Sequence, residues 1–129
     1  MKTGSCLCGA VKYTFEEPAR PIIACHCVQC RKQTGSFMHS SAVDNDKFHI
    51  VETRGLKWYR ASDMAARGFC GECGSNLFWK PDKGNYTSFT AGSIDGATGL
   101  AVEGHIYCDF KGDYYAIPNE GYQRHEWES

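Results

Sequence analysis

The chain has 129 residues, of which 42% are hydrophobic, and its 14 basic and 15 acidic side chains give a net charge of −1. This length and composition predict one globular domain spanning residues 1–129 and argue against a disordered chain. The charges are mixed along the chain without a basic block, which argues against binding to nucleic acid or to an anionic membrane. The apolar runs are too short for a membrane span or a signal peptide, so we expect a cytoplasmic protein.

Short strands separated by turns dominate the predicted secondary structure. Residues 10–15 alternate small or apolar with polar side chains, as a half-buried strand does. One short helical turn is expected over residues 28–32, and no pattern supports a long helix. The further predicted strands are, in chain order, residues 37–43, 48–52, 57–60, 65–69, 76–79, 86–91 and 104–110. This pattern predicts a mainly β fold made of two packed antiparallel sheets.

Eight cysteines are the most informative feature of the sequence. They fall into three local groups and one single residue: Cys6-x-Cys8, Cys25-x-Cys27-x-x-Cys30, Cys70-x-x-Cys73 and Cys108. Clustered thiols in a reducing compartment are typical of metal sites or redox groups. A disulfide framework would be compatible with the even number, but cysteines two residues apart rarely reach disulfide geometry. We therefore predict that these cysteines bind two separate zinc ions.

The first predicted metal site combines two cysteine pairs that are each followed by glycine. Gly9 follows Cys8, and Gly74 follows Cys73. Glycine there allows a sharp turn that directs backbone N–H groups at sulfur. With Cys6 and Cys70, the two turns supply four thiolates to a tetrahedral ion, which closes its coordination. We expect a structural zinc at this site, joining segments that are distant in sequence.

The second predicted site is the loop that carries Cys25, Cys27 and Cys30. Three ligands within six residues can cover one face of an ion and leave the fourth position to another group, as catalytic zinc sites do. Three thiolates make zinc a weak Lewis acid, so activation of water is expected to be modest. A substrate thiol suits such an ion better, because zinc would bind and deprotonate it. These three cysteines are therefore predicted to be catalytic as well as metal-binding.

Three residues offer an alternative in which the second site is closed and purely structural. Cys108, His26 or His105 would then be the fourth ligand. His26 lies between two ligands in a tight loop, and we expect its side chain to point away. Cys108 would complete two sets of four cysteines, although we favour a strand residue that packs as a small hydrophobe.

Together these motifs resemble the glutathione-dependent formaldehyde-activating enzyme and centromere protein V family. The resemblance is carried by residues 4–13, 24–36, 67–78 and 105–107. It implies a β-sandwich of the β-tent type, with a structural zinc on Cys6, Cys8, Cys70 and Cys73 and a catalytic-type zinc on Cys25, Cys27 and Cys30. The family's named activity is the addition of glutathione to formaldehyde, which is classed as a carbon–sulfur lyase reaction. A small thiol or its aldehyde adduct is accordingly the expected partner.

Two other functions are also compatible with the sequence. A non-enzymatic zinc module could serve as a protein-interaction domain if its second site were closed. A thiol-dependent reductase could use Cys108, which occupies a position that is ordinarily apolar in the family. That position is similar to the late-strand catalytic cysteine of methionine sulfoxide reductases. The expected activity is nevertheless a lyase that acts on a thiol and an aldehyde.

Overall fold

A computed structural model describes residues 1–127. Strands account for most of its regular structure, and its one α-helix, α1, spans Val28–Thr34. No helix among these residues is long and apolar enough to cross a membrane. The strands are β1 Lys2–Ser5, β2 Lys12–Phe15, β3 Ile22–Cys25, β4 Met38–Asp44, β5 Phe48–Glu52, β6 Leu56–Tyr59, β7 Ala65–Cys70, β8 Asn76–Pro81, β9 Tyr86–Thr90, β10 Val102–Ile106 and β11 Tyr122–Gln123.

The chain divides into two compact units. The first unit contains residues 1–20 and 41–98. Of the described residues, the second contains 21–40 and 99–127. Strand β4 begins in the second unit and ends in the first.

The first unit contains two sheets. One is the antiparallel set β1-β2-β5, and the other has the strand order β4-β9-β8-β7-β6. Aromatic rings from both sheets form the core, since Tyr13 and Phe15 of β2 contact Phe89 of β9 with ring centroids 5.4 and 4.6 Å apart. All three side chains are at most 1% exposed. The predicted mainly β, two-sheet architecture is therefore confirmed.

The second unit has the strand order β11-β10-β3-β4. Strands β3 and β4 are antiparallel, whereas β10 pairs in parallel with both β3 and β11. The expectation that the sheets are antiparallel is therefore wrong for β10. Parallel neighbours require a long connection, and most of the first unit lies between β3 and β10 in sequence. The pairing places Ile106, the last residue of β10, opposite Cys25. The end of β10 therefore lies beside the start of the three-cysteine loop.

The prediction of a strand over residues 104–110 is wrong in its second half. Strand β10 ends at Ile106 because Tyr107 adopts a left-handed conformation with φ 54° and ψ 39°. Residues 108–110 then form a 3-10 turn, so Cys108 lies in a turn and not in a strand. The predicted helical turn is also longer than expected, since α1 has seven residues and ends where Gly35 takes a φ of 88°.

Three short strands were not predicted from the sequence. They are β1, β3 and β11, and none has more than four residues. Their sequences do not alternate apolar with polar side chains: KTGS lacks large apolar residues, IIAC is apolar throughout, and YQ is too short to show a pattern. The other strands lie where they were predicted, within a few residues at each end.

Candidate metal centres

The first cysteine cluster lies entirely in the first unit. The Sγ atoms of Cys6, Cys8, Cys70 and Cys73 all lie within 4.8 Å of one another. The Sγ of Cys8 is 3.8 Å from that of Cys6 and 3.7 Å from that of Cys70. Four sulfurs that surround an ion tetrahedrally, with bonds of about 2.3 Å, are about 3.8 Å apart. The cluster can therefore hold a metal ion with sulfur ligands on all sides.

Two turns of similar construction present these sulfurs. Gly9 and Gly74, each directly after a cysteine, have left-handed φ angles of 84° and 80°. Their backbone N–H groups donate to the carbonyl oxygens of Cys6 and Cys70, at 3.2 and 2.8 Å. The N–H of Val11 donates to the Sγ of Cys6 at 3.2 Å. The expected role of the two glycines is thus visible in the backbone, because other residues rarely adopt this conformation.

The thiols of the first cluster influence one another's protonation. The hydroxyl and the backbone N–H of Ser75 lower the pKa of Cys73 to about 5. The backbone N–H of Ala10 lowers the pKa of Cys8, but desolvation and the three other thiols outweigh it and raise that pKa to about 12. Four sulfurs this close cannot all ionise unless a cation offsets their repulsion. A bound dication would remove this conflict.

Two further residues support the first cluster and were missed by reasoning from the sequence. Ser75 Oγ accepts a hydrogen bond from the N–H of Leu7 at 3.1 Å and lies 3.2 Å from the Sγ of Cys73, so it connects the two turns. Gly55 packs against Cys70, where a Cβ atom would lie 2.7 Å from Sγ. In the sequence Gly55 indicates only a turn. Its contact with sulfur depends on residues that are distant along the chain.

The second cluster lies entirely in the second unit. Cys25 is the last residue of β3, Cys27 is the N-cap of α1, and Cys30 is in the first turn of that helix. Their Sγ atoms lie within 4.8 Å of one another. The N–H of Cys30 donates to the Sγ of Cys27 at 3.3 Å, so the start of α1 directs a backbone donor at a sulfur. This cluster too can hold a metal ion.

The electrostatics of the second cluster also favour a cation. Hydrogen bonding with Cys27 and Cys30, followed by burial, raises the pKa of Cys25. Burial, followed by the charges of the three cysteines, raises the pKa of the Tyr107 phenol. Tyr107 therefore lies within electrostatic reach of all three sulfurs. The raised pKa keeps this phenol protonated near neutral pH.

No fourth ligand joins this cluster among residues 1–127. Both ring nitrogens of His26 have other partners, because Nδ1 is 2.9 Å from Tyr115 Oη and Nε2 is 2.8 Å from His105 Nδ1. Burial, followed by the positive charge of nearby groups, lowers the pKa of His26 to about 4. Cys108 is half-buried, and burial raises the pKa of its thiol. The structure therefore brings three sulfurs together at this cluster, with no fourth His, Cys, Asp or Glu ligand among residues 1–127.

A mainly β fold with two cysteine clusters defines a class of protein that can bind two metal ions through thiolates. A family model described as glutathione-dependent formaldehyde-activating enzyme matches residues 1–110. The chain therefore belongs to the glutathione-dependent formaldehyde-activating enzyme family. It is also 31% identical over 121 residues to an uncharacterized lyase of Schizosaccharomyces pombe, covering 91% of this chain and 85% of that protein.

A solved structure supports the fold independently. A crystal structure of a Rhodobacter sphaeroides protein superimposes with a TM-score of 0.61 at 21% identity. The match covers 78% of this chain and 97% of the other. At this identity the similarity concerns the fold alone.

The contact of Gly55 with Cys70 generates a prediction. We expect Gly55→Ala to weaken metal retention at the first cluster and to lower the free energy of unfolding by about 1–3 kcal/mol, because the new methyl group displaces Cys70 Sγ. Gly92→Ala is the matched control, since no atom lies within 4 Å of a Cβ at that position. Chelator-dependent thermal unfolding measures both effects. Equal stability and metal retention in the two variants would contradict the role of Gly55.

The two clusters are expected to differ in their contribution to folding. Cys70→Ser should unfold the first unit or abolish soluble expression, because it removes a group that joins two distant turns through the metal. Cys27→Ser should lose one metal ion at a cost of about 1 kcal/mol or less, since serine can still cap α1. Circular dichroism and elemental analysis of the two proteins test this difference. Equal loss of folding would show that both clusters are structural.

Cys108 is expected to be dispensable for metal binding. Cys108→Ala should retain both ions and lose about 1 kcal/mol or less of stability, because only a half-buried thiol in a 3-10 turn is removed. Elemental analysis before and after dialysis measures the metal content. Release of one ion by this variant would make Cys108 the fourth ligand of the second site.

Proposed function

We propose that this protein is a zinc-dependent carbon–sulfur lyase that binds a small, glutathione-like thiol at the second cluster. It would promote addition of that thiol to an aldehyde such as formaldehyde, or its release from the adduct. The observation that carries the proposal is the cluster of Cys25, Cys27 and Cys30, which has three sulfurs and no fourth ligand within residues 1–127. Membership of the family and the lyase named among its relatives support the reaction class.

The donor atoms support zinc at both clusters. Thiolate ligands are typical of zinc, and the 3.7 and 3.8 Å separations between sulfurs suit its tetrahedral coordination. Cys6, Cys8, Cys70 and Cys73 would hold a structural ion, because four ligands leave no position for a substrate. Eight reduced cysteines also suit a reducing compartment, and we place the protein in the cytoplasm on that ground.

A zinc ion on Cys25, Cys27 and Cys30 would supply a position at which a substrate thiol loses its proton. In the addition, the thiolate sulfur bonds to the carbonyl carbon while the C=O π electrons move to oxygen, which then takes up a proton. The reverse sequence breaks the carbon–sulfur bond and regenerates both substrates. The atoms balance without a redox partner.

Other residues near the cluster suit such a substrate. Tyr107 directly follows Ile106, which pairs with Cys25, and we propose that its hydroxyl donates a hydrogen bond to the oxygen that becomes negative in the transition state. Arg31 and Lys32 lie in the last turn of α1 and provide positive charge for a thiol that carries carboxylates. The chain's own contribution is thus to hold the ion, stabilise the developing charge and attract an anionic thiol.

Metal analysis combined with an exchange assay tests the proposal. Purified protein should contain two zinc ions per chain, with about seven sulfur ligands shared between them by X-ray absorption. Two-dimensional exchange NMR with ¹³C-formaldehyde and glutathione measures interconversion of free aldehyde and adduct. We expect acceleration by the native protein and by Cys108→Ala, and loss of acceleration with Cys27→Ser.

The outcomes separate the alternatives. One zinc ion per chain would overturn the two-site assignment. Two ions with the second closed by a protein ligand, and no acceleration, would identify a non-enzymatic zinc module. Loss of activity with Cys108→Ala but not with Cys27→Ser would favour a thiol-dependent reductase.

A further inference from the structure

A buried polar network adjoins the second cluster and has no role in the reaction described above. His26 and His105 are both 0% exposed, and their rings share a hydrogen bond of 2.8 Å. Tyr115 Oη lies 2.9 Å from the remaining nitrogen of His26. Phe37 stacks on the same ring with centroids 4.3 Å apart and planes inclined by 28°. Both nitrogens of His26 and one face of its ring are thus held in place.

We propose that Tyr115, His105 and Glu120 are positioning residues that fix His26 and thereby hold Cys25 and Cys27 ready to bind the second metal ion. This inference rests on the proposed function only in taking the three-cysteine cluster as a metal site. None of these three positioning residues is itself a ligand.

The position of His26 in the chain explains how the network acts on the cysteines. His26 is the single residue between Cys25 and Cys27, so a rotation of its backbone moves both sulfurs. Its backbone N–H also donates to the carbonyl oxygen of Ile106 at 3.0 Å. Three thiolates repel one another, and a loop without these restraints would separate them. Holding the loop in advance lowers the cost of collecting the ligands around an ion.

Glu120 determines the direction of the hydrogen bonds. Its Oε1 lies 3.4 Å from the buried Nε2 of His105, which has no hydrogen-bond partner within residues 1–127. A neutral imidazole carries its proton on one of its two nitrogens, and a carboxylate oxygen can only accept, so the tautomer with the proton on Nε2 suits this contact. His105 then accepts at Nδ1 from the Nε2–H of His26, and His26 accepts at Nδ1 from the Tyr115 hydroxyl. The opposite direction would place the lone pair of His105 Nε2 against the carboxylate.

This assignment has a consequence for the metal site. The only lone pair on the His26 ring is occupied by the Tyr115 hydroxyl, so His26 cannot become a ligand without breaking the network. The Nδ1 lone pair of His105 is similarly occupied by His26. The network therefore keeps two nearby imidazoles away from the fourth position of the ion, which remains open for a substrate thiol.

Zinc transfer from the holoprotein to a chelator of known affinity measures the effect on the second site. His105→Leu should release the second zinc at a 10- to 100-fold lower chelator concentration, with the first zinc unaffected. His105→Asn should restore most of this loss, because its Oδ1 can replace Nδ1 as the acceptor for His26. A general packing defect would not distinguish leucine from asparagine in this way.

Two tyrosine variants keep the test decisive if His105→Leu does not fold. Tyr115→Phe retains the ring and removes only the hydroxyl, so the second zinc should be released about three- to tenfold more readily. Tyr114→Phe is the control, because its hydroxyl donates to Gly35 O at 2.8 Å outside the network. In ¹⁵N NMR of labelled histidine, both His26 and His105 should carry their proton on Nε2.

Zinc retention, the protonated ring nitrogens and the number of bound zinc ions test three separate parts of the proposal. Unchanged retention of the second zinc in Tyr115→Phe, with a similar result for any folded His105 variant, would overturn the positioning role. A proton on Nδ1 of either ring would overturn the direction of the bonds and the role of Glu120. A holoprotein with only one zinc ion would instead contradict the proposed function, so the two failures are distinguishable.

Discussion

Repulsion between neighbouring thiolates is the constraint on which much of this structure depends. Seven sulfurs are gathered into two clusters whose members lie within 4.8 Å of one another. In the first cluster desolvation and this crowding together outweigh a backbone hydrogen bond and raise the pKa of Cys8 to about 12, while hydrogen bonds from Ser75 lower that of Cys73 to about 5. A bound dication would remove the conflict, and the free energy it would contribute, on the order of 10 kcal/mol, is comparable to the stability of a whole domain.

The two clusters both crowd thiols together, but they contain different numbers of cysteines. The first draws two sulfurs from each of two turns and is supported by the close approach of Gly55 to Cys70. The second takes all three sulfurs from one short loop between β3 and α1. A site built from distant segments joins them, whereas a site built from one loop can change its ligands at less cost to the fold. This difference matches the structural role proposed for the first cluster and the reactive role proposed for the second.

The parallel pairing of β10 with β3 places polar side chains next to the second cluster. It sets His105 beside Ala24 and Ile106 beside Cys25, so Tyr107 follows directly at the loop. Burial and the charges of the cysteines raise the pKa of the Tyr107 phenol, and His105 is hydrogen-bonded to the ring of His26. Strand β10 and the residue after it thus supply the group proposed to suit a substrate and the group proposed to position the cysteines.

The sequence determined those features that depend on residues close together in the chain. Spacing and alternation are local properties of a sequence. They predicted the turns at Cys6–Cys8 and Cys70–Cys73, with glycine at the next position, and most of the longer strands. Only the tertiary structure decided that Gly55 lies against Cys70, that β10 ends at Ile106, and that His26 is held by Tyr115 and His105. The end of β10 depends on the left-handed backbone of Tyr107. The other two outcomes depend on contacts between residues far apart in sequence, and local spacing contains no information about which distant groups will meet.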